Sequence, residues 1–432
     1  MFATSNQFIK IISLIFCYYA ILQRGICENI YVEGLCMLIS TICIFKIFSK
    51  SNCPYSFDKV YHIFYLFFFS IAPIIQFKNN VALLGTHFSD SEYIMSLFLL
   101  LVSLVLYEIL YAIFYKKIKV ESYNNQDINE KRNKVNELIL ILISFSILIA
   151  MLFMNNFNVM SLLLRGGEYT TRQEVSQTSN LIIGKFIRPM SMLIFLCAYI
   201  RKDISLTTKL ILFILLFLSI CPTGVARNVT AAIWLPVLLT VAGWARKRNV
   251  FSVILVGGLL IAMPLLNQFR HYEGGSLEIG LDFSQFEELH FDAFSMFMRV
   301  VKDDIITYGN QFLGSVLFFI PRSVWPDKPV GSGCYVADLS DLSFSNISMP
   351  FLGEGFINWG YPGLIFFIVL ISYYCSWFDK NYWETENNSG HYRIKYLILM
   401  SLLLFMLRGD FMSSFAYTCG LLLSYKVVSK IV

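Results

Sequence analysis

Charge is what this 432-residue chain has least of: 15% of its residues are Asp, Glu, Lys or Arg, against 56% hydrophobic, and it holds 5 His. Soluble globular domains carry about a quarter charged residues, so a water-soluble enzyme and a nucleic-acid-binding protein are both excluded. The 10 Cys are scattered, mostly inside apolar runs (Cys17, Cys36, Cys43, Cys197, Cys375, Cys419). With no CxxC and no Cys/His pairing at metal spacing, they read as small core residues. The apolar run 8–22 lacks a small-residue cleavage site after it, so it reads as a retained first span rather than a removed signal peptide. No internal repeat is evident, which argues against a transporter built on paired broken helices. No His–Asp pair lies on a span, as a membrane O-acyltransferase requires. The only adjacent carboxylates that stand out, Asp303 and Asp304, sit at a helix end; the chemistry is expected to need no metal and no cofactor.

Long apolar runs are abundant. About twelve segments have the length and composition of spanning helices, roughly at 8–23, 30–48, 60–77, 92–115, 137–154, 182–200, 209–221, 229–244, 250–266, 352–377, 394–408 and 412–429. Only helices satisfy their own backbone in lipid over so many segments. The expected fold is an all-α polytopic membrane protein, one integral membrane domain over 1–432.

The basic residues are unevenly placed. One side of that arrangement receives both termini and 21 of the 34 Lys and Arg, which makes it cytoplasmic. Those 21 are 16 Lys and 5 Arg, whereas the other side has 4 Lys and 9 Arg: Arg24, Arg165, Arg172, Arg188, Arg227, Arg270, Arg299, Arg322 and Arg408. Lysines facing the cytoplasm need only be solvated. Arginines on the outer face run against the insertion rule, so a function is expected to retain them. Guanidinium is a planar fork suited to phosphate and carboxylate.

Two outer loops stand out, 155–181 and the much longer 267–351. Loops of such length in compact proteins are usually functional. Within the second, 284–305 has the pattern of an amphipathic helix, with Ser284 and Glu287 as a capping box. Phe286, His290, Ala293, Phe294, Phe297 and Val301 form its apolar face; Glu288, Asp292, Ser295, Arg299 and Asp303 form the other. It is either a solvated surface helix or a lid over a cavity. Residues 311–320 are apolar but too short to span, which suggests a re-entrant or interfacial segment. PRSVWPDKPVGSG, 321–333, follows as a stiff turn carrying Arg322 and Trp325. Trp325 is placed to anchor at the interface, stack on a sugar ring or simply pack. FLGEGFINWGYPG, 351–363, sets Glu354 and Asn358 one turn apart at the mouth of a span, where an ionisable group is costly. LRGDFMSS, 407–414, brings Arg408 and Asp410 to another span end, as CPTGVARN, 221–228, does Arg227.

Together these stretches resemble the O-antigen polymerase (Wzy-type) family, the oligosaccharide repeat-unit polymerases. The motifs that carry the likeness are IPRSVWPDKPVGSG, GEGFINWGYPG, TGVARN and RGDFMSS, 38 residues within a shared whole-chain architecture. The resemblance implies a GT-C-like glycosyltransferase of the bacterial inner membrane, with a long periplasmic loop. It would act on undecaprenyl-diphosphate-linked oligosaccharides, with a chain-length regulator protein as a further partner. The growing chain would move from its lipid diphosphate onto a new lipid-linked repeat unit. On this reading Arg165, Arg172, Arg227, Arg270, Arg322 and Arg408 hold the diphosphates. Trp325, Asn358 and Asp410 position substrate. The base for the attacking hydroxyl is sought among Glu354, His290 and Asp292, in that order. An O-antigen ligase shares architecture and chemistry and differs in acceptor. A flippase for the same lipid-linked unit would want cations deep inside spans rather than at their outer ends.

Overall fold

The computed structural model describes residues 2–22, 28–49, 53–120, 136–164, 179, 182–262, 286–342, 344–345, 347–385 and 390–432. About 77% of the described residues are helical, and none of them forms a strand. The helices are α1 (Phe2–Leu22), α2 (Ile30–Ile47), α3 (Phe57–Lys78), α4 (Asp90–Lys117), α5 (Glu137–Met154) and α6 (Ile182–Ile200). Then come α7 (Leu206–Ser219), α8 (Arg227–Val241), α9 (Arg248–Gly257), α10 (Ala293–Lys302), α11 (Asn310–Val316) and α12 (Ser332–Leu339). The last three are α13 (Phe351–Trp383), α14 (His391–Arg408) and α15 (Phe411–Ile431). Seven of them, α2 to α6, α13 and α15, are long and apolar enough to cross a membrane. Every other expected span falls on a helix too, but α7, α8 and the apolar part of α1 are shorter than a bilayer core requires. The chain is an α-helical membrane protein with seven candidate spans among the described residues.

The bundle has two cores. One joins α2, α3, α4, α10, α13 and α14; the other joins α5, α6, α7, α8 and α15, with α14 contributing to both. At one end lie the starts of α3 and α14 and the ends of α2, α4 and α13. There Asp379 accepts from the backbone N–H of Phe57 and Asp58 and from the hydroxyls of Tyr111 and Tyr396. Lys46 and Lys380 sit at this end, which we call the lysine end. The opposite end carries residues 286–350, the loop end. It is tied down by Gln76, whose amide donates to the carbonyls of Phe286 and Phe291, and by the Lys302–Glu92 pair at 3.2 Å.

The expected helix over 284–305 is realised as ten residues, Ala293–Lys302, after a 3-10 turn at Leu289–Phe291. It is no solvated surface helix: every residue from Ala293 to Val300 is buried, packed against α3, α4 and α13. Its polar residues are paired inside, Arg299 with the Thr86 hydroxyl and Asp292 with Ser348. Ser284 lies outside the described residues, and Glu287 accepts from Asn79 instead. In 311–320 the helix stops at Val316.

The start of α13 is not part of its spanning rod. Trp359 and Gly360 leave helical geometry, Gly360 at φ 63° and ψ −142°. Residues 351–358 therefore fold back on the rest of the helix. The Phe351 ring packs tilted against Phe367 with centroids 4.9 Å apart, and a Cβ on Gly363 would sit 2.0 Å from the Gly355 carbonyl oxygen. Both glycines are needed for that approach. The remaining stretch, 361–383, rises about 34 Å at 1.5 Å per residue, still enough to cross.

Candidate functional site

Three of the four motif stretches meet at the loop end. Glu354, on the folded-back turn of α13, is fully buried. One of its oxygens accepts from the Phe411 N–H at 2.9 Å and the other from the Ser332 hydroxyl at 2.7 Å. It thus ties GEG to the starts of both α12 and α15. Asp410 caps α15 by accepting from the Ser413 N–H at 3.1 Å, and its other oxygen takes the Gly333 N–H at 3.3 Å. A Cβ on Gly331 would lie 2.3 Å from that second oxygen, so GSG is fitted to RGD by the absence of a side chain. Burial pushes the Asp410 carboxyl above its ordinary range, opposed by the N–H donors of Ser413, Gly333, Met412 and Ser332.

Asn358 serves this framework. Its side-chain oxygen accepts from the Phe312 N–H at 2.8 Å and its amide donates to the Glu354 carbonyl at 2.8 Å, so it caps α11 from the end of the folded-back turn.

Arg408 is the cation that these elements present. One terminal nitrogen donates to Asp292 at 3.2 Å and to the Leu289 carbonyl at 3.3 Å. Its Nε has no hydrogen-bond partner, and the side chain is 31% exposed. Asp292 is itself buried and also receives the Ser348 N–H at 3.2 Å and the Ser348 hydroxyl. Both its oxygens are thus occupied by donors. His290, two residues before it, has Nε2 3.2 Å from a Glu288 carboxylate oxygen and keeps 21% of its side-chain surface exposed.

Arg322 is exposed and donates to the Lys328 carbonyl at 2.7 Å. Lys328 in turn donates to the Phe318 and Ile320 carbonyls just past the end of α11. Burial and the neighbouring Arg322 hold its ammonium below the usual lysine range. The cations of the stiff turn therefore fasten that turn, and its prolines rest on α11 through Pro329 against Gly314. Trp325 is half-buried within it.

Of the six arginines expected to hold diphosphate, the structure describes the side chains of Arg322 and Arg408. Arg165, Arg172 and Arg270 lie outside the described residues, as does the side chain of Arg227 at the start of α8. The turn before Arg227 belongs to another part of the bundle: Gly224 packs on the Leu162 carbonyl and Thr223 donates to the Leu163 carbonyl. Ser332, Ser348 and Arg299 were not singled out for the site by sequence. Ser332 sits inside the GSG stretch that was, whereas nothing local marks Ser348 as the partner of a residue 56 positions away. A groove of about 420 Å³, lined by Phe186, Leu423, Lys426, Val427 and Lys430, lies at the other end of α15 and touches none of these residues.

No protein-family model, curated protein or solved structure matches the chain. The site therefore has to be read from its own chemistry. Its buried carboxylates, Glu354 and Asp292, hold helix starts and a guanidinium. Its accessible groups are a partly exposed guanidinium and an imidazole–carboxylate pair.

Proposed function

We propose that the chain polymerises undecaprenyl-diphosphate-linked oligosaccharide repeat units by glycosyl transfer on the outer face of a bacterial inner membrane, with both termini cytoplasmic. The observation that carries this reading is Arg408, held at one terminal nitrogen by Asp292 and the Leu289 carbonyl while its side chain stays 31% exposed. A guanidinium fixed on one edge and accessible on another suits a diphosphate leaving group. The arginine-rich composition of the same side supports it.

In this reaction the acceptor hydroxyl oxygen forms a bond to the anomeric carbon of the growing chain. The bond from that carbon to the diphosphate oxygen breaks, and undecaprenyl diphosphate leaves with the electron pair. Arg408 neutralises the leaving charge. Among the bases, His290 takes first place over Glu354 and Asp292. It retains solvent contact and is oriented by Glu288, whereas both carboxylates are buried with their oxygens occupied. Asp292 positions Arg408, and Glu354 positions α12 and α15.

The test is the surface glycan of a deletion strain, analysed together with its lipid-linked intermediates. Glycan limited to a single repeat unit, or single units held on lipid at the outer face, is the expected result. Units trapped on the cytoplasmic face would indicate a flippase, and full-length polymer still on its lipid would indicate a ligase. Either contradicts the proposal.

A further inference from the structure

A second polar cluster lies inside the bundle near the lysine end, away from every residue of the loop-end site. His62 follows Asp58 by one turn of α3, a His–Asp pair on a span that the apolar run 60–77 left out because Asp58 precedes it, and Glu108 faces both from α4. Asp58, His62 and Glu108 each offer one ligand atom, all within 4.8 Å of one another. His62 is fully buried; Asp58 and Glu108 keep 18% and 16% of their side-chain surface.

The ring's hydrogen bonds decide what the cluster needs. His62 Nδ1 lies 2.7 Å from the Asp58 backbone carbonyl oxygen. A carbonyl only accepts, so Nδ1 carries the hydrogen. In the neutral ring Nε2 then bears the lone pair. It lies 2.5 Å from a Glu108 carboxylate oxygen, and neither atom has any other hydrogen-bond partner. Two lone pairs do not face each other at that distance in a buried site unless they share a cation, either a proton or a metal ion for which the pair opens slightly.

We propose that Asp58, His62 and Glu108 bind one divalent first-row transition-metal ion of the Mn²⁺, Fe²⁺ or Zn²⁺ class. A single imidazole with two carboxylates is a donor set such ions accept. A metal-bound histidine ordinarily donates its other ring N–H to a carbonyl or carboxylate, as His62 does here. Asp58 is further held by the Tyr107 hydroxyl at 3.3 Å, a second-layer contact of the same kind. Two ligands at about 2.0–2.1 Å from one ion stand about 3 Å apart, so the His62–Glu108 contact opens by roughly half an ångström on binding. Two carboxylates balance the ion, and Lys46, on the other Glu108 oxygen, is 43% exposed and so keeps its charge partly in solvent. The ion ties α3 to α4. Sequence spacing alone concealed the site, because Glu108 comes from a separate span.

The test uses full-length protein purified in detergent with an affinity tag that contains no histidine. Elemental mass spectrometry of the wild type is expected to find about one ion per chain. His62→Gln and Glu108→Gln are expected to lower that occupancy by about tenfold or more, while His87→Gln, at the loop end, leaves it unchanged. Should those variants fail to fold, wild-type protein stripped with chelator and titrated with Mn²⁺, Fe²⁺ and Zn²⁺ decides the matter. A rise in melting temperature with one of the ions supports the site. Wild type that purifies without metal and gains no stability from any of the three ions overturns it. A proton on His62 is then the cation.

Discussion

Arg408 and Asp292 divide one task between them. The carboxylate, fixed by Ser348, holds the guanidinium at one terminal nitrogen, and in the proposed reaction the exposed part of the side chain meets the diphosphate. Arg408→Ala is expected to lower the polymerisation rate by about a hundredfold, the scale seen when one preorganised donor to developing charge is lost. Arg408→Lys should fall between, because a point charge replaces a fork. Asp292→Asn keeps the shape and the Ser348 hydroxyl bond, so its cost should be nearer tenfold, about one hydrogen bond's worth. A rate loss in Asp292→Asn equal to that of Arg408→Ala would instead make Asp292 a direct participant. Asp410 permits a different test. Its native pKa is raised by burial, so the stability it contributes is fully present below its ordinary value of 3.8 and is lost as pH rises through the native value. Asparagine caps helices as well as aspartate. Wild-type melting temperature should therefore fall with rising pH across that window more steeply than that of Asp410→Asn. Parallel curves for the two proteins would remove Asp410 as a destabilising charge.

The folded-back turn of α13 is the element on which the site depends, because it delivers Glu354 to the starts of α12 and α15. Gly360 occupies a backbone region that other residues enter at a cost of about 1–3 kcal/mol. Gly363→Ala drives a methyl into the Gly355 carbonyl, a backbone atom with no easy retreat. Both Gly360→Ala and Gly363→Ala should lower the melting temperature of the purified protein, whereas Gly34→Ala, with open space around it, should not. An unshifted melting temperature in Gly363→Ala would mean that 351–358 is not packed there. The stretch was legible as a glycine-rich segment around a costly carboxylate, but not as a reversal. Hydropathy treats 352–377 as one run, and the close approach of Gly355 to Gly363 is a tertiary fact. The segment 284–305 misled for a related reason. Its acidic and basic residues look like a solvated stripe by spacing, yet Asp292 and Arg299 find partners at Ser348 and Thr86, far away in the chain. A paired internal face and a wet face have the same periodicity.

Across the whole molecule, hydropathy located the helices well, because backbone satisfaction in lipid forces that solution on every apolar run. Seven of the twelve expected spans meet the length and composition of a crossing helix among the described residues, whereas α7 and α8 are helical and apolar but shorter. The convergence of GSG, GEG and RGD at one end was legible only as a shared side, not as contacts. Arg408 and Lys380 lie at opposite ends of the bundle, so single cysteines replacing them in a chain cleared of its 10 native Cys should label from opposite faces of the membrane. The position 408 cysteine should react from outside; labelling of both from the same face would contradict the proposed topology. The central claim is polymerisation itself, and it is tested most directly with purified protein in lipid vesicles supplied with lipid-linked repeat units extracted from the deletion strain. A polymerase yields a ladder of lipid-linked products differing by one repeat unit, released undecaprenyl diphosphate in matching amount, and loss of both with Arg408→Ala. Single units that stay single, in the presence of wild-type protein shown to be folded, would contradict it.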